Sequence, residues 1–266
     1  MDVRKRNRVS VTGLESGPVV MLAHGFGCDQ SLWRLVVPEL EKHFQVVLFD
    51  HVGAGRSDVS AWSSERYSSL DAYAQDVIEI CRELRLGPVN FVGHSVSSMI
   101  GVLAAVREPG LFDRLVLLAP SPSYIDDGDY RGGFSEQDIG ELLESLDSNY
   151  LGWSATMAPV IMGNPERPEL GEELTNSFCR TDPEIARVFA RATFLSDNRA
   201  DLAEVTVPTL IAESARDTIA PREVGAFVHG QIPGSELVTL NSTGHCPQLS
   251  APEETAEAII AFVQGP

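Results

Sequence analysis

The stretch FVGHSVSS, Phe91–Ser98, sets a serine between an apolar run and a helical pattern. Its spacing is close to G-x-S-x-G, the sharp strand-to-helix turn that lifts a nucleophilic hydroxyl out of the backbone. Gly93 and Ser95 match that spacing, and the closing position holds Ser97. The residues two before and two after such a serine must be small, or their side chains collide with the adjoining strand and helix. Ser97 adds only a hydroxymethyl group, so the turn can still form. A hydroxyl needs a base, and the base needs an acid to orient it. For a serine in this strand–turn–helix setting the chain order is Ser, acid, His. His245 in NSTGHCPQL follows the last apolar run, with Thr243-Gly244 as the turn before it. Asp217 in ESARDTIAP follows the preceding run, while Glu213 falls within that strand or at its end. An acid one strand earlier would have to be Asp126, because APSPSY carries no carboxylate; it is the second choice. An oxyanion needs two backbone N–H groups. Val96 after the serine offers one, and Phe26 in AHGFG the other, its glycines letting the loop come close.

Other chemistries find less support. Cys28, Cys81, Cys179 and Cys246 are far apart and form no C-x-x-C pair, so they read as buried or incidental thiols. Cys246 beside His245 is a weak alternative nucleophile. The six histidines show no H-x-x-x-H or H-E-x-x-H spacing, and no metal is expected. DHVGAGRSD contains G-x-G without the third glycine and later acid of a dinucleotide site, and no P-loop occurs, so no cofactor is expected.

These residues must be positioned by a scaffold. Strands are expected at Arg8–Gly13, Pro18–His24, Gln45–Asp50, Val89–Gly93, Arg114–Ala119, Pro208–Glu213 and Ser235–Leu240. Between them, Leu70, Tyr73, Ala74, Val77, Ile78, Cys81 and Leu84 form one helical stripe, with Ser68 and Asp71 as its start signal. Ala256, Ile259, Ile260 and Val263 form another, with Ser250 and Glu253 reading as a capping box. Alternating strands and helices imply an α/β fold, a mostly parallel sheet covered on both faces. From Ser121 to Asn198 no strand is expected. Helices are expected near Gln137–Leu146, Tyr150–Ile161, Glu169–Cys179 and Pro183–Ser196, the last with Asp182 as its N-cap. Residues 1–120 and 198–266 thus read as a core, and 121–197 as a helical lid over the carboxyl edge of the sheet, where such sheets bind ligands.

The net charge of −18 argues against nucleic acid and anionic membrane as partners, since nothing offsets their repulsion. MDVRKRNRVS lacks the apolar run of a signal peptide, and PVVMLAHGF is too short to span a bilayer. The chain reads as cytoplasmic.

Taken together, HGFGCDQSLW, VVLFDHVGAGRSD, RYSSLDAYAQDV, FVGHSVSSMIGVLAA, YRGGF, SNYLGW, FCRTDPEIAR and GHCPQLSAPEET resemble the RsbQ-like group of α/β-hydrolases. That group includes the plant karrikin and strigolactone receptors, and the likeness runs from Val9 to Val263. The resemblance implies a Ser–His–Asp triad of Ser95, His245 and Asp217 under a four-helix lid. It also implies a deep, mostly apolar pocket lined by Tyr124, Phe134, Trp153, Met157, Phe178, Phe194 and Ile219. GHSVSS is similar to the plant receptors, whereas RsbQ has glycine at position 97; HGFGCDQ and FCRTDPEIA look more like RsbQ. Two roles follow from the likeness. One is a serine hydrolase of a small apolar ester or lactone. The other is a small-molecule receptor with slow hydrolysis that regulates a signalling partner, a phosphatase in the stress pathway of RsbQ. A cofactor-free haloperoxidase or C–C hydrolase would use the same three residues; an aspartate nucleophile is disfavoured by Ser95.

Overall fold

The computed structural model describes residues 2–265. Seven strands form one sheet: β1 (Ser10–Gly13), β2 (Val19–Ala23), β3 (Gln45–Leu48), β4 (Val89–His94), β5 (Phe112–Leu118), β6 (Thr209–Arg216) and β7 (Glu236–Thr243). Their order is β1-β3-β2-β4-β5-β6-β7. β1 runs antiparallel to β3, and every other pair is parallel. β2 and β4 are buried at every position, as strands covered on both faces must be. Alternate side chains feed two cores. Met21 and Phe91 point toward the helices Leu70–Leu84, Val96–Arg107 and Arg222–Gln231. Val20 and Val92 point to the other face, under the helix Pro252–Gln264.

The pattern placed the strands well but not all of their ends. β6 and β7 run on to Arg216 and Thr243, because an irregularity between Ser214 and Arg216 lets the pairing continue past the apolar residues. The strands therefore deliver the chain directly to Asp217 and to Gly244-His245. Two expected helix caps are corrected. The last helix starts at Pro252 with Ala251 as its cap and no side-chain bond, while Ser250 belongs to the short helix Pro247–Ser250. Proline there presets the helical φ and has no N–H to satisfy. At the other helix the cap residue is Ser69, whose hydroxyl meets the Asp71 carboxylate instead of a backbone N–H.

Between β5 and β6 lie four helices, Glu136–Ser148, Tyr150–Met162, Pro168–Arg180 and Pro183–Phe194. Ser135 and Asp138 cap the first reciprocally, and Asp182 accepts from Glu184 and Ile185 at the start of the fourth. The second helix ends against the loop after β7. Gly244 has φ +86, and a Cβ there would lie 1.7 Å from the Met162 carbonyl oxygen, so only glycine fits.

Three histidines are buried where β2, β3 and β4 end: His24, His51 and His94. The Ser97 hydroxyl donates to the His24 carbonyl at 2.5 Å and lies 2.7 Å from His51 Nε2. With its proton committed to His24, Ser97 accepts from His51 Nε2–H. The His51 N–H in turn donates to His24 Nε2 at 3.1 Å. Burial holds the pKa of all three rings down, that of His94 to about 3. All three are therefore neutral when folded, and they take up protons near pH 6.5 only when unfolded. The unfolded chain then binds more protons as pH falls, so the fold loses stability from pH 6.5 down towards 3. Between pH 7 and 5.5 the expected loss is about 1 kcal/mol for each of His51 and His94, whose rings are held furthest down. Urea unfolding at the two pH values measures it, and equal stabilities would refute the neutral assignment.

Candidate active site

β4 ends in the turn that carries Ser95, which has φ 57 and ψ −124 and opens the helix Val96–Arg107. A residue with a side chain adopts this backbone only under constraint from its surroundings. Part of that constraint is the Ser95 N–H donating to the Leu118 carbonyl at the end of β5, at 2.8 Å. Another part is the crossing at Gly93, where a Cβ would come 2.3 Å from the Ser97 carbonyl oxygen. The Ser97 side chain meets no such obstacle. It turns away into the His24–His51 pair, so serine replaces glycine there without opening the turn.

His245 stands opposite. Its Nε2 lies 2.7 Å from Ser95 Oγ, and its Nδ1 lies 2.7 Å from Asp217 Oδ2. The other Asp217 oxygen accepts from the N–H groups of Ile219 and Ala220 at 2.8 and 3.1 Å. The carboxylate is thus fixed at both oxygens, and its side chain is fully buried. The His245 backbone is pinned twice: His94 Nε2 donates to its carbonyl at 2.7 Å, and its own N–H donates to the Ile161 carbonyl at 2.9 Å. The first of those bonds gives His94, which sequence reasoning did not assign, a place behind the site, and burial keeps its ring neutral.

Among the described residues, neither the Phe26 nor the Val96 N–H has a partner within the chain. Phe26 follows the end of β2 by three residues, and Val96 directly follows Ser95. Asp126 is far from this use: it accepts from the Gly132 and Gly133 N–H groups and pairs with Arg131. Glu213 bonds Thr239 and Arg222. Burial pushes the Cys246 thiol well above its ordinary range, so it stays protonated and is a poor nucleophile. Among the described residues no cluster of histidine, cysteine or carboxylate side chains could hold a metal ion.

A cavity opens on Ser95 and His245. Tyr124, Trp153, Met157, Phe178, Phe194 and Ile219 line it together with Phe26. Phe26 packs edge-on to Trp153 and Phe178, whose own rings are stacked 5.8 Å apart. Phe134 does not line the cavity and is a correction. It is half-buried in a short bridge with Ile125, where its backbone bonds Tyr124 and Asp126. Leu142, Ile161, Leu174 and Thr193 were missed. They sit on the inner stripes of the inserted helices, and periodicity does not tell a cavity wall from a packed core. The volume open to the centre of a water molecule is ≈ 30 Å³. The cavity is a narrow slot.

With this geometry in view, the comparisons with known proteins are direct. The alpha/beta hydrolase family model matches residues 19–258. A probable esterase, D14L, of Oryza sativa subsp. japonica is 39% identical over 263 residues, 98% of this chain and 97% of that protein. The karrikin insensitive 2 receptor CA of Petunia hybrida is 38% identical, over 98% and 97% of the two chains. The solved structure of a hydrolase from Oleispira antarctica superposes with a TM-score of 0.97 at 44% identity, covering 100% of this chain and 97% of that one. A family model spanning most of the chain and relatives matched along their whole length lead to one conclusion: this protein belongs to the alpha/beta hydrolase family.

Proposed function

We propose that the protein is a serine hydrolase of small apolar esters or lactones. The observation that carries this reading is the unbroken pair of 2.7 Å contacts from Asp217 through His245 to Ser95. Asp217 holds the imidazole with its proton on Nδ1, which leaves Nε2 free to take the Ser95 proton as Oγ attacks the carbonyl carbon. The Phe26 and Val96 N–H groups receive the oxyanion. Collapse of the tetrahedral intermediate breaks the bond to the leaving oxygen, and His245 returns its proton to that oxygen. Water then attacks the acyl-enzyme with His245 again as base. Residues 121–197 act as a lid over the core of 1–120 and 198–266, since Trp153, Met157, Phe178 and Phe194 all come from the inserted helices. The aromatic walls favour an apolar acyl group or ring.

A second reading keeps the same residues but makes hydrolysis slow and binding the signal. Its support is the likeness to the Petunia hybrida receptor, and it would bring a signalling protein partner. Among the described residues no helix is long and apolar enough to cross a membrane, in keeping with the cytoplasmic reading.

A time course of p-nitrophenyl acetate hydrolysis separates the two. The enzyme reading expects sustained turnover that falls at least about 10³-fold in Ser95→Ala. A single burst and then near-silence would favour the receptor reading, and an unchanged Ser95→Ala rate would overturn both. Ser97→Gly tests the support behind the nucleophile. It removes the bond that ties the root of the Phe26 loop to the helix after Ser95. The expected result is a kcat about tenfold lower with KM little changed, and a stability loss of about 1–3 kcal/mol from the unsatisfied His24 carbonyl. An unaltered kcat would make Ser97 a space-filling residue only.

A further inference from the structure

The slot carries a buried hydroxyl that the proposed chemistry leaves unused. Thr193 lies in the last turn of the helix Pro183–Phe194, is 1% exposed and lines the cavity. Its Oγ1 has no hydrogen-bond partner. Helical threonines have an easy solution to that problem, which is to donate to the carbonyl four residues back. Thr156, Thr175 and Thr255 all do so in this protein, at 3.0, 2.8 and 2.8 Å. Thr193 does not, so its hydroxyl is left without a partner in a residue that lines the cavity beside Phe194, Trp153, Leu142 and Ile219. A buried hydroxyl without a partner is costly, and a valine of the same shape would fill the space without that cost.

Several other polar groups of the slot have partners or are weak donors. Ser95 and His245 bond each other. His94 donates to the His245 carbonyl, and its Nδ1, also without a partner, is an acceptor pressed against Gly25, where a Cβ would lie 2.7 Å away. Burial keeps the Cys28 and Cys246 thiols protonated, and thiols are weak donors.

We propose that Thr193 is a specificity-determining residue whose hydroxyl donates to an acceptor oxygen on the substrate other than the scissile ester group. The substrate class is then an ester or lactone carrying an ether, carbonyl or hydroxyl oxygen within an otherwise apolar skeleton. This deepens the hydrolase reading and rests on it.

The test compares p-nitrophenyl pentanoate with two esters in which oxygen replaces one chain methylene, p-nitrophenyl 3-methoxypropanoate and p-nitrophenyl 2-ethoxyacetate. Each is measured on the wild type, Thr193→Val and Thr193→Ser. Taking the variant-to-wild-type ratio for each ester cancels the ether's own effect on reactivity. Thr193→Val is expected to lower kcat/KM for at least one ether ester about tenfold more than it lowers that for pentanoate. Thr193→Ser is expected to keep the ether preference, and Thr193→Val to melt no lower than the wild type. Ratios that move together for all three esters would overturn the proposal. If no ester turns over, the hydrolase reading has failed, and the same esters are titrated onto Ser95→Ala with and without Thr193→Val. A rise in melting temperature with an ether ester that disappears with valine sustains Thr193 as a ligand donor. Equal rises, nil included, reject it.

Discussion

A 2.7 Å contact between His245 Nε2 and Ser95 Oγ joins residues 150 positions apart, and the core is arranged to hold it. One end rests on β4, buried at the middle of the sheet, where the turn after the strand takes a backbone that L-residues rarely adopt. Such strain persists only where neighbours over-determine it. Here the Leu118 carbonyl fixes the Ser95 N–H, and the close crossing at Gly93 fixes the path. The other end rests on β6 and β7, whose extended pairing carries Asp217 and His245 to the same edge. Movement of any of these strands along its axis would lengthen a bond that works only within a few tenths of an ångström.

The region behind the serine explains how glycine can be absent from the motif. Ser97 exchanges a free-standing small residue for two buried bonds, to the His24 carbonyl and from His51. Both partners belong to the ends of strands flanking β4 on one side, so the hydroxyl couples the helix after Ser95 to the root of the Phe26 loop. The Phe26 and Val96 N–H groups are thereby referenced to each other through side chains, and not only through the sheet.

The parts legible in the sequence are those governed by pattern and sterics. Apolar runs marked the central strands, because parallel strands are buried on both faces, while the antiparallel, exposed β1 showed only alternation. The order of Ser95, Asp217 and His245 along those strands was readable for the same reason. What escaped depended on choices between local partners. Ser250 and Glu253 have the spacing of a capping box, yet Pro252 starts the helix and Glu254 bonds the Asn241 N–H instead. Phe134 has the size of a cavity residue, but a two-residue bridge holds it aside. The free hydroxyl of Thr193 has no sequence signal at all, since three other threonines of the same kind bond their own helices.

The attachment of the inserted helices to the core is unequal, and this bears on how a slot of ≈ 30 Å³ could admit an ester. On the His245 side the tie is a backbone bond to Ile161 and a glycine contact at Met162, both buried and stiff. On the Phe26 side the helix Pro168–Arg180 is tied to the core by the Ser177 bond to the Gly27 carbonyl and by two exposed pairs, Arg180 with Asp29 and Arg34 with Glu173, and to its neighbouring inserted helix by the buried Tyr150 bond to the Phe178 carbonyl. Exposed pairs contribute under about 1 kcal/mol each, so this is the edge that yields at least cost. Displacement there would carry Phe178 off Phe26 and Trp153 and widen the slot. The bonds that align His245 with Ser95 lie on the opposite edge and would be left in place.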